Sequence, residues 1–232
     1  MTERSMDGQI ALVTGASRGF GFACAAAMGA AGAHVIAVAR TVGGLEELDD
    51  KIQASGGSAT LVPLDITDDP ALERLGAAIH DRWGHVDIWL HTAIQAAPLQ
   101  PAEHIDAKEL DHSIATNIRA LQRLIRVVDP LLRLAKAPMA LIAADDADGA
   151  KFHGTYAIAK AAQSALTHAW AAETKGRLTV AEIVPPSMPT ALRARFFPGE
   201  DRDALTPIDA AAARLVDAIS KGKITSGSRT AL

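Results

Sequence analysis

The chain has 232 residues, 49% of them hydrophobic and 22% charged, with a formal net charge of −4. That length can bury a sheet covered on both faces, and the acidic balance argues against a nucleic-acid binder, which would carry a basic stripe. No apolar run approaches the roughly 18 residues of a membrane span, and the polar stretch Met1 to Gly8 holds no signal-peptide core, so a cytoplasmic protein is expected.

Apolar runs of strand length alternate with helix-length segments, the pattern of a parallel sheet in a doubly wound, Rossmann-type α/β fold. Strands are expected at 9–14, 33–39, 59–64, 86–93, 138–144 and 178–184. Helices are expected near 19–31, 43–55, 69–83, 102–128 and 153–175. A last helix over 207–220 follows Thr206 as cap and Pro207 as first residue. Few residues follow Ile224-Thr225, so a seventh strand is expected to be short or missing. The whole of 1–232 reads as one domain. Its irregular stretch, 185–206, carries mixed charge and leaves the end of the sixth strand, where doubly wound sheets bind ligands; it is the expected substrate loop.

The first strand runs into Thr14-Gly15-Ala16-Ser17-Arg18-Gly19-Phe20-Gly21, and an Ala-rich helix follows. Glycines let the backbone turn tightly against a pyrophosphate, and the helix N-terminus supplies N–H groups and a positive dipole end. The spacing is G-x-x-x-G-x-G rather than the commoner G-x-G-x-x-G. Cys24 lies in that helix and is expected to be a buried, chemically silent thiol.

The only tyrosine, Tyr156, precedes Lys160 by one helical turn, so both side chains share a face. A phenol titrates near 10, and a neighbouring ammonium would lower that value towards a range useful for proton transfer. An isolated Y-x-x-x-K is ordinarily a tyrosine beside a solvated lysine. Here the pair opens the helix after the fifth strand, on the side where a nicotinamide would lie.

Together these pieces resemble the short-chain dehydrogenase/reductase family over essentially the whole chain. The matching segments are Thr14-Gly15-x-x-x-Gly19-x-Gly21, Leu64-Asp65-Ile66, Val86-Asp87-Ile88, Asn117 and Tyr156-x-x-x-Lys160. Pro185-Pro186-Ser187-Met188-Pro189-Thr190 stands where the family has Pro-Gly-x-x-x-Thr. The stretch from Ala191 to Asp201 is similar to YciK-like bacterial oxidoreductases. The resemblance implies that Gly15, Ser17, Arg18, Gly19 and Gly21 hold the dinucleotide phosphates and that Asp65 and Ile66 flank the adenine. It implies that Tyr156 passes the proton, that Lys160 holds the ribose and depresses the tyrosine pKa, and that Asn117 holds a water of the relay. Met188 and Thr190 are left as carboxamide contacts. It also implies a homodimer or homotetramer built through 102–128 and 153–175.

Charge decides the expected cofactor. Arg40 ends the second strand, where an acidic residue would select a free ribose hydroxyl, and Arg18 lies in the glycine turn. Guanidinium groups suit a 2′-phosphate, so NADP(H) is preferred and NAD(H) is the alternative.

Three positions depart from the family. Thirteen residues before Tyr156, where the catalytic serine belongs, stands Ala143, followed by Ala144; Thr155 and Asp145 are candidate substitutes. Asn-Asn-Ala-Gly is replaced by His91-Thr92-Ala93-Ile94, and the glycine after Pro185 by Pro186. Asp145 to Gly149 lacks the glutamate of a calcium loop, and the eight histidines show no zinc spacing, so no metal is expected. His91 and His153 are expected to make local hydrogen bonds. The sequence therefore supports an oxidoreductase of a small carbonyl or alcohol, slowed by Ala143, with Tyr156, Lys160 and Asn117 at work. The alternative is a dinucleotide-binding protein with a sensing or scaffold role and little turnover.

Overall fold

The computed structural model describes residues 4–146 and 149–232. Ala147 and Asp148, in the segment read as a polar strand-end loop, and Met1 to Glu3 lie outside them. Seven parallel strands form one sheet in the order β3-β2-β1-β4-β5-β6-β7. They are β1 (Ile10–Thr14), β2 (His34–Ala39), β3 (Ser58–Pro63), β4 (Ile88–His91), β5 (Met139–Ala143), β6 (Thr179–Val184) and β7 (Arg229–Ala231). The strand order reverses between β1 and β4, and at such a switch point the crossovers diverge and leave a crevice beyond the strand ends.

Alternate residues of the central strands enter two separate cores, because successive side chains point to opposite faces. Ala11 and Val13 pack with Met28 of α1 (Gly19–Ala30), Leu48 of α2 (Val42–Ala54) and Leu215 of α8 (Ile208–Ser220). Leu12, Ile36 and Trp89 pack on the other face with Leu72 of α3 (Asp69–Trp83), Leu124 of α5 (Ala120–Leu132) and Trp170 of α6 (Gly154–Glu173).

The expected helix 102–128 is divided. A 3-10 turn, Ala102–His104, precedes α4 (Ala107–Ser113), a π turn over Ile114–Arg119, and α5. The division begins at Asp106, whose carboxylate accepts from Lys108 N and Glu109 N and so caps a new helix. The last helix begins at Ile208, with Pro207 outside it as N-cap; Thr206 precedes the cap, and its amide donates to Ser187 O. The loop 185–206 holds its own helix, α7 (Ala191–Phe196), capped by Thr190 Oγ1 accepting from Arg193 N at 3.2 Å, and a 3-10 turn at Arg202–Ala204. The seventh strand is present and short. Arg229 anchors it by pairing with the buried Glu182 of β6 at 3.3 Å.

Candidate active site

A cleft of about 670 Å³ lies beyond the carboxyl ends of the strands. Its first wall is the glycine turn and the start of α1. Gly15 has φ +91°, and a Cβ there would stand 2.5 Å from Ala93 N. A Cβ on Gly21 would collide with Gly15 O and Thr92 Oγ1. Thr92, named in the sequence only as part of a departing motif, has a role: its hydroxyl donates to Thr14 O at 3.0 Å and lies 3.3 Å from Gly15 O, tying β4 to the turn. Arg18 stands at the N-cap position of α1 with extended backbone, but its side chain makes no capping hydrogen bond, and no acidic residue sits in the first turn. The leading N–H groups are thus left for an anion.

Arg40 and Asp65 face each other at the far end of the cleft, Nη1 to Oδ2 3.8 Å, both substantially exposed. Partial burial pushes the Asp65 pKa up. Hydrogen bonds from Thr67 N and Thr67 Oγ1, with the charges of Arg40 and His112, outweigh that and hold it below the usual carboxylate range. Ile66 is buried beside it. His112, on α4, lines this end too and carried no motif.

At the other end Tyr156 is buried, and its hydroxyl donates to Asp145 Oδ2 at 2.8 Å. Burial raises its pKa well above the ordinary value, and the charge and hydrogen bond of Asp145 add to the rise. The expectation that Lys160 depresses it is therefore corrected. The Lys160 ammonium lies 6.0 Å from the phenol ring centroid and donates instead to Ala143 O at 2.7 Å and Gln163 Oε1 at 3.1 Å. Burial lowers the Lys160 pKa to about 8, against the opposing pull of Asp145 and Glu182.

Asn117 is fully buried in the π turn, a form often found at functional sites. Its side chain braces the loop after β4: Oδ1 accepts from Gln95 N at 2.7 Å, and Nδ2 donates to Gln95 O and Ser113 Oγ. Its carbonyl accepts from Gln163 Nε2 at 3.0 Å. The Gln163 side chain thereby links Lys160 to the Asn117 backbone carbonyl. Gln163 was missed in the sequence, although its position seven after Tyr156 places it on the same helical face.

Ala143 and Ala144 line the cleft without a side-chain donor. Of the two candidate substitutes, Asp145 reaches the tyrosine, whereas Thr155 is buried and does not line the cleft. Ile94, Pro186, Met188 and Thr190 form the wall between the two ends. From the 185–206 loop, Phe196 stacks edge-on against Tyr156 at 5.1 Å, and Arg193 is held by Glu200 through two 2.5 Å hydrogen bonds.

His91 and His153 make the local contacts expected of them. His91 Nδ1 is 2.8 Å from Thr14 Oγ1, and burial, with the charge of Lys160, drives its pKa down to about 3. His153 Nδ1 meets Lys151 O, and its ring packs 4.9 Å from Phe196. Cys24 is buried, with its thiol pKa raised by that burial. Among the described residues no cluster of metal-ligating side chains occurs, and no helix is long and apolar enough to cross a membrane.

Comparison with known proteins places this arrangement. The structure of an oxidoreductase, yciK from E. coli, superposes with a TM-score of 0.93 at 24% identity, covering 100% of this chain and 97% of that one. A short chain dehydrogenase from Escherichia coli CFT073 complexed with NADPH gives a TM-score of 0.90 at 24% identity, covering 100% and 99%. At that identity the two establish likeness of fold. The fatty acyl-CoA reductase of Acinetobacter baylyi is 31% identical over 192 residues, 80% of this chain. This chain spans 64% of that protein's length. The short chain dehydrogenase family model matches residues 9–201, and the chain belongs to that family.

Proposed function

We propose that the chain is an NADP(H)-dependent oxidoreductase that moves a hydride between nicotinamide and a small carbonyl or alcohol substrate. One observation carries the reading: a single cleft begins at the uncapped N-terminus of α1 and ends on Tyr156. A bound reduced nicotinamide supplies the hydride. Gly15, Ser17, Gly19 and Gly21 receive the pyrophosphate on backbone N–H groups where no Cβ intervenes. Arg18 and Arg40 take the 2′-phosphate, Asp65 and Ile66 bound the adenine, and Thr190 meets the carboxamide. Lys160 holds the ribose end, Asn117 fixes the loop after β4, and Tyr156 is the proton donor, its hydroxyl kept protonated by burial. Arg40 at the end of β2 supports this cofactor over NAD(H), and one neighbour of like fold was solved with NADPH.

The same reading takes 1–232 as one domain, 185–206 as the substrate loop, and α4, α5 and α6 as the faces of a cytoplasmic homodimer or homotetramer. A second reading, a dinucleotide-binding protein with a sensing or scaffold role, has its own support. Tyr156 spends its proton on Asp145, and Ala143 offers no donor. Titration with NADPH and NADH by cofactor fluorescence, with turnover of a carbonyl panel in the same samples, separates the two. Binding with turnover supports the oxidoreductase, binding alone supports the second reading, and failure to bind either nucleotide refutes both.

A further inference from the structure

The Lys160 ammonium has three N–H groups, and the fold assigns two of them. One donates to Ala143 O at the end of β5 at 2.7 Å, and a second to Gln163 Oε1 at 3.1 Å. Held by the Ala143 bond alone, the ammonium would turn freely about that axis. A second fixed acceptor removes the rotation, and tetrahedral geometry then sets the direction of the third N–H. Lys160 lines the cleft, and among the described residues that N–H is the donor left for a ligand.

Gln163 is 3% exposed, on the face of α6 that carries Tyr156 and Lys160. A buried amide destabilises unless both its ends are bonded, and here both are. Nε2 donates to the Asn117 carbonyl of the π turn at 3.0 Å. The partners also fix which way the amide faces. An ammonium only donates and a carbonyl only accepts, so the reverse orientation would set donor against donor and acceptor against acceptor. The Asn117 side chain in turn holds Gln95 N and Gln95 O in the loop after β4. Lys160 is thus tied to two walls of the cleft, to β5 directly and to the loop after β4 through Gln163 and Asn117. The charged groups felt at Lys160 are Asp145 after β5 and Glu182 on β6, both favouring the ammonium; the His91 ring on β4 is kept neutral by its burial and by Lys160. A neutral amide suits the place, because it orients the ammonium without cancelling its charge.

Resting on the oxidoreductase reading above, we infer that Gln163 is a positioning residue of the site, fixing the Lys160 ammonium between Ala143 O and the π turn so that its remaining N–H meets the nicotinamide ribose. Gln163 acts only through Lys160 and touches neither cofactor nor substrate.

The test compares the full chain with Gln163→Met, which keeps the length and loses both hydrogen bonds, and with Gln163→Glu, which keeps an acceptor for Lys160. The first readout needs no cofactor: the titration midpoint of Lys160, followed by NMR of isotope-labelled lysine Cε and assigned by the signal missing in Lys160→Met. The wild-type midpoint is expected at about 8. Gln163→Met removes an acceptor of the charged form and should lower the midpoint by about one pH unit, the size of a hydrogen bond to a charged group. Gln163→Glu adds an opposite charge and should raise it. The second readout is calorimetric binding of NADPH against adenosine 2′,5′-bisphosphate, which carries the adenosine end alone. Gln163→Met should weaken NADPH by about tenfold and leave the bisphosphate unchanged, and Gln163→Glu should recover most of the loss. A purely structural role moves both ligands together and gives the two variants no opposite shifts. An unmoved midpoint, shifts of the same sign in both variants, or equal losses for NADPH and the bisphosphate overturn the inference, while wild-type NADPH binding leaves the oxidoreductase reading standing. Failure of the wild type to bind NADPH removes that reading, and the inference falls with it.

Discussion

Acidification should destabilise the fold through His91, and the size of the loss follows from its burial. The ring lies at the end of β4 with essentially no exposure, its Nδ1 against Thr14 Oγ1 and its Nε2 without a partner among the described residues. Lys160 approaches from α6 and adds a like charge to the cost of protonation. The folded pKa is about 3 against an unfolded value of 6.5, so the unfolded chain takes the proton first as pH falls. Stability is therefore complete above pH 6.5 and declines towards pH 3. Between pH 7 and pH 5 the loss from this one residue is about 2 kcal/mol, at 1.36 kcal/mol per pKa unit. Urea unfolding followed by circular dichroism at a series of pH values measures it. His91→Asn keeps a neutral hydrogen-bonding side chain, and the gap between the two unfolding free energies should shift by that amount over the interval. Parallel pH curves for wild type and variant would refute the assignment of the acid sensitivity to His91.

Two further predictions concern the cleft. Tyr156→Phe should lower turnover of any carbonyl substrate by ~10²–10⁴, the usual size of a general-acid contribution, with NADPH affinity nearly unchanged in a fluorescence titration; an undiminished rate removes Tyr156 as proton donor. Arg40→Asp should move the ratio of NADPH to NADH affinity towards NADH, since a carboxylate repels the 2′-phosphate that the guanidinium holds; an unchanged ratio removes Arg40 from cofactor choice.

The parallel sheet and its first six strands, the glycine turn and the placement of Tyr156 and Lys160 were legible because each is a local pattern. Apolar runs of strand length, a missing Cβ at Gly15 and Gly21, and a spacing of one helical turn fix geometry within a few residues. The exceptions inside the fold lie at helix starts: Asp106 caps a new helix within 102–128, and the last helix takes Pro207, not Thr206, as its N-cap.

What only the tertiary structure decided is how the polar groups of the cleft pair. Lys160 stands one turn from Tyr156 in sequence, yet its ammonium donates to Ala143 O at the end of β5 and to Gln163 Oε1. Asp145, eleven residues before Tyr156, reaches the phenol only because the end of β5 and the start of α6 converge on the cleft. Spacing along one helix constrains direction. It does not rank acceptors contributed by other segments, and a buried charge goes to the partners that best offset its desolvation.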